Sequence, residues 1–156
     1  MTIGGNPVYE STLFKFLTYT VGGSIITFLF GGWSQSLTIL SLFVVFDYLT
    51  GLAASYYEGR KNPDDATKGW NSNKGFWGIF KKVLMFSVIA LLYQVDKMMG
   101  MDASIGFMTA GIFFYISNEL LSIIENYGRL GLPLPDQLKT AVTALKGKSG
   151  DRSNQK

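Results

Sequence analysis

Four stretches dominated by apolar residues divide the chain, over residues 11–30, 37–57, 76–95 and 103–124, with short polar connections between them. A helix rises about 1.5 Å per residue, so each stretch can cross a hydrocarbon core roughly 30 Å thick. The pattern predicts an all-α integral membrane protein with about four transmembrane helices. The second stretch, LTILSLFVVFDYLTGLAASYY, has interfacial aromatics at both edges, Trp33 before it and Tyr56-Tyr57 at its end. The first stretch is the weakest, because it contains Lys15, several Thr and the Gly22-Gly23 pair. Two readings of it stand: a span with Lys15 snorkelling to the interface, or a helix lying on the membrane surface in some states. Beyond the fourth stretch, Pro133 and Pro135 stop the helix, and Asp136 can open a short amphipathic one to about Lys146. Leu138, Val142 and Leu145 share a face there, and lysines suit an anionic leaflet. Residues 1–146 thus read as a single membrane domain, followed by a disordered basic tail over 147–156.

Charge orients these segments. The formal net charge is only +3, but Lys and Arg crowd the 58–75 connection and the region from Arg129 onward. Cytoplasmic loops carry that excess in membrane proteins, so both basic regions face inward and a spanning first helix brings the N-terminus inside too. The alternative has three helices and an external N-terminus. The chain has no Cys and no His, which excludes disulfides, thiolate or imidazole metal ligands and the usual proton relay. No catalytic, cofactor-binding or metal-ligating set emerges. No basic groove or stacking platform accompanies the basic tail, which argues against nucleic acid as a partner.

The chemistry lies in polar residues at membrane depth: Asp47, Lys81, Lys82, Asn118 and Glu119. A carboxylate at the centre of a span costs about 2.5–3.5 kcal/mol on insertion scales, so it faces a bundle interior or an aqueous path. Counting inward from Tyr57, Phe76 and Ile124 puts Glu119 level with the two lysines and Asp47 deeper, near the midplane with no partner of its own level. Asp47 is then either protonated or held by hydroxyls inside the bundle, or it lines an aqueous lumen. Gly51 and Ser55, and likewise Gly106 and Ala110, are four residues apart, a spacing that lets helices approach closely. Asp47 and Glu119, at different depths on different helices, are a poor start for an enzyme. A small ion channel or transporter is harder to exclude, since both also use buried charge.

The segments DYLTGLAAS from Asp47, NSNKGFWGIFKK from Asn71, YQVDKMMG from Tyr93 and NELLSIIENYGRLGLPLPDQLKTAV from Asn118 resemble successive motifs of the toxin secretion/phage lysis holin family. The resemblance covers roughly Asp47 to Lys146. It departs from the family pattern where Trp70-Asn71-Ser72-Asn73 replaces Leu-Asn-Ser. What it implies is a phage protein of the host cytoplasmic membrane that oligomerises with itself among the lipids. At a set time it opens a lesion and releases an endolysin to the cell wall, without direct binding and under an antiholin where one exists. Some relatives are associated with export of large toxins, so a pore for protein export is the alternative.

Overall fold

In the computed structural model, residues 7–65, 69, 71–101, 105–138 and 140 are described. They form four long α-helices: α1 over Pro7–Phe30, α2 over Gln35–Lys61, α3 over Ser72–Met99 and α4 over Phe107–Arg129. Helices α2, α3 and α4 are each long and apolar enough to cross a membrane, whereas the apolar portion of α1 is the shorter Thr18–Phe30. The fold is therefore all-helical with three such helices. The amphipathic helix expected over 136–146 is described only at its first turn, where Leu138 N donates to Pro135 O at 3.0 Å. Beyond Thr140 this segment and the basic tail lie outside the described residues, as does the N-terminal leader before Pro7.

The helices extend past the apolar stretches because polar residues continue them into water. Ser34 caps α2, its hydroxyl accepting from Leu37 N at 3.2 Å, and Asn71 caps α3 through Asn73 N at 2.9 Å. Helix α3 consequently starts at Ser72 rather than Phe76, and α2 runs to Lys61 rather than Tyr57, with Asn62 N donating to Glu58 O at its end. Gly100 ends α3 in the left-handed conformation at φ 66°, which a glycine adopts without strain. Asp96, the residue just beyond the third apolar stretch, belongs to α3 itself. Its carboxylate is buried and accepts from Phe107 N at 2.7 Å and Met108 N at 2.8 Å. It thus caps α4 from another helix, because the residue in the cap position, Gly106, offers no side chain. Gly106 also corrects an expectation: its backbone is extended at φ −82° and ψ 177°, so it precedes the helix and shares no helical face with Ala110.

Helix α4 packs against both α2 and α3, while α2 and α3 touch little and α1 rests on α3. The starts of α2 and α4 and the end of α3 share one end of the bundle. There Leu37, Leu40, Met85, Ile89, Met108 and Ile112 form a buried apolar cluster. Helix α1 is tied to the same end by Gln94 Nε2, which donates to Phe28 O at 2.7 Å. Outward-facing side chains are large and apolar, among them Phe46, Leu91, Phe113 and Phe114, each more than half exposed. Water would penalise such a surface and lipid does not, since its chains are as apolar as these side chains.

Candidate functional site

The opposite half of the bundle has a polar interior. Asp47 on α2, Lys82 on α3 and Glu119 on α4 meet there, each with no more than 15% of its side chain exposed. Lys82 Nζ donates to Asp47 Oδ2 at 2.8 Å and also to the Glu119 carboxylate. Asp47 is therefore partnered, and the partner is an ammonium rather than a hydroxyl. The depth count from Tyr57 and Phe76 missed the pairing because it made no allowance for side-chain reach; each helix runs four residues further, which leaves the offset unchanged. Measured from Lys61 and Ser72, Asp47 and Lys82 differ in depth by only about 6 Å, which a four-carbon stem covers.

A second layer continues toward the end of the bundle formed by the end of α2, the start of α3 and the end of α4. Asn126, 5% exposed, donates through Nδ2 to Asp47 Oδ1 at 3.1 Å and to Thr50 Oγ1 at 3.2 Å. Its Oδ1 accepts from Arg129 Nη1 at 3.0 Å. Arg129 then grips Glu58 as a fork, Nε to Oε1 at 2.9 Å and Nη2 to Oε2 at 2.8 Å. One continuous set of charge-assisted bonds thus links all three apolar helices from their middle to this end.

Where α2 and α3 diverge, the network lines a cleft of about 210 Å³ open to the outside. Its walls include Tyr48, Ser55, Asn71 and Ser122, with Gly51, Gly75 and Gly78 keeping them apart. Glycine at 51 is where the backbone of α2 comes close to α4: a Cβ there would lie 3.5 Å from Asn126 Nδ2. The arrangement holds fixed charge at membrane depth and gives it a polar path to one side.

The sequence profile of the bacteriophage holin family matches residues 24–147, more than half of the chain. The chain belongs to the bacteriophage holin family. That family forms membrane pores and is not an enzyme family. Among relatives of the holin, an uncharacterised protein of Halalkalibacterium halodurans is 41% identical over 125 residues, covering 78% of this chain and 86% of the relative. An uncharacterised Listeria innocua protein is 36% identical over 129 residues, covering 83% and 84% respectively. A more distant relative, from Bacillus phage phi105, is named a probable holin and is 34% identical over 68 residues, 44% of this chain and 49% of its own. No solved structure matches the chain.

Of the residues expected to form an intramembrane network in this holin, the fold joins Asp47, Lys82 and Glu119. It leaves Lys81 and Asn118 exposed on the outer faces of α3 and α4. Of the expected packing residues, Gly51 and Ser55 face α4, Ser55 Oγ lying 3.5 Å from Arg129 Nη2. Ala110 points outward. Sequence reasoning missed Asn126, Arg129, Thr50 and Asp96. The missing signal was periodic: Asn126 follows Glu119 by seven residues, two helical turns, and so shares its inward face.

Proposed function

We propose that this holin accumulates in the host cytoplasmic membrane, self-associates, and at a set time opens a lesion through which an endolysin reaches the cell wall. The observation that carries this reading is the Asp47–Lys82–Glu119 cluster, buried at membrane depth and opening to a polar cleft. Written as two carboxylates and one ammonium, the cluster is charged, and such a group within apolar helices marks a water path or an interior that can become one. Rearrangement of α2 against α3, which touch little, would turn the cleft into part of a lumen wall. The basic 58–75 connection and the basic tail support a cytoplasmic placement for the cleft end and both termini. The first helix then spans as a fourth, with Lys15 near the inner interface.

Inducible expression with and without a co-expressed endolysin tests the reading. Abrupt loss of turbidity is expected only with the endolysin, together with escape of a folded cytoplasmic reporter protein. Leakage of ions alone, with the reporter retained, would mean a small channel instead.

A further inference from the structure

On the outward-facing surfaces of α3 and α4 the polar side chains Ser87, Gln94 and Ser117 are satisfied within the chain, and exposed Lys81 has a stem long enough to snorkel toward the interface. Ser117 Oγ donates to Phe113 O at 2.9 Å and Ser87 Oγ to Val83 O at 3.0 Å, each bonding back into its own helix. Gln94 reaches Phe28 O on α1. Asn118 is exposed and has no hydrogen-bond partner among the described residues. It lies midway along Phe107–Arg129, about 16 Å from either end, where lipid tails offer its amide neither donor nor acceptor.

We infer that the α4 face carrying Ala110, Phe114, Ser117 and Asn118 is a two-fold dimer interface, with Asn118 of one copy hydrogen-bonded to Asn118 of the next. A second copy fits because copies inserted in the same sense place each residue opposite itself in depth around an axis normal to the membrane. A side-chain amide carries both an acceptor oxygen and a donor nitrogen, so two identical amides complete each other. Small Ala110, eight residues earlier on the same face, lets the helices approach, and the four residues bear no charge. The inference rests on the self-association proposed above, and it makes a two-fold pair the unit from which larger assemblies grow.

The native chain has no Cys, so engineered thiols report contacts cleanly in the full-length protein in membranes. Ser117→Cys and Ala110→Cys should each form a disulfide dimer on mild oxidation before any lysis. Val88→Cys, on the exposed face of α3, should give only collisional background. Adding Asn118→Leu to the Ser117→Cys chain should lower dimer yield about 3- to 30-fold at matched membrane levels, the equivalent of roughly 0.6–2 kcal/mol per interhelical polar pair. Asn118→Gln, which keeps the amide, should retain most of it. An unchanged yield with Asn118→Leu, a Val88→Cys yield matching Ser117→Cys, or adducts formed only with other membrane proteins would each overturn the inference. Lysis with co-expressed endolysin is read in parallel. Normal lysis with an unaffected Asn118→Leu dimer defeats the interface alone; a Gln-rescued dimer in a chain that never lyses defeats the proposed function alone.

Discussion

Two carboxylates converge on the single ammonium of Lys82, so removing the cation and removing one anion have different consequences. Lys82→Met leaves Asp47 and Glu119 facing each other unpaired, and breaking a buried pair from one side costs about 3–5 kcal/mol. The variant should reach a much lower membrane level than wild type, and adding Asp47→Asn should restore part of it; equal levels in all three chains would show that water, not Lys82, neutralises the carboxylates. Asp47→Asn alone leaves Glu119 for Lys82 and an amide oxygen for Asn126. It should insert and accumulate normally while shifting or abolishing lysis, because it removes charge a lumen would use. Wild-type timing in that variant would reduce Asp47 to a structural acceptor. Asp47, Lys82 and Glu119 were legible in the sequence, since charge within twenty apolar residues has few explanations. Asn126 was not, because a neutral amide close to a span's end reads as interfacial until the helix is known to continue to Arg129.

At the scale of the helices, existence was legible and ends were not. Apolar runs report where lipid is, whereas Ser34, Asn71 and Gly100 report where the backbone stops being helical, several residues further out. The small-residue spacing misled at one pair and not the other. Gly51 does mark a close approach, but between α2 and α4 of one chain. Gly106 is small because a Cβ there would collide with the Asp96 carboxylate that caps α4. Gly51→Ala should be tolerated, as its Cβ would meet Asn126 at an ordinary 3.5 Å. Gly51→Leu should displace Asn126 and lower the melting temperature of the detergent-solubilised protein. Asp96→Ala should be destabilising by about 0.5–2 kcal/mol, the usual worth of an N-cap, and Gly106→Ala by a comparable amount through the same contact. Melting curves of the two that diverge widely would separate cap from packing.

For the molecule as a whole, an apolar cluster fills one end of the bundle and charges fill the other, and this asymmetry has a direction only once the membrane is oriented. The basic connection after α2 argues that the charged end is cytoplasmic. Single cysteines can read this directly. Before lysis, an impermeant thiol reagent applied to intact cells should label a Cys replacing Gln35, at the apolar end beside the cap of α2. It should spare a Cys replacing Ser72 at the start of α3, and one replacing Ser149 in the basic tail. Gln35 is preferable to Ser34, whose hydroxyl is needed for the cap. A Cys replacing Thr2 separates four spans from three: shielding places the N-terminus inside and requires α1 to cross, whereas labelling leaves α1 on the outer surface against α3. Labelling at Ser72 with protection at Gln35 would invert the bundle, and the polar cleft would then open to the outside, where no endolysin waits.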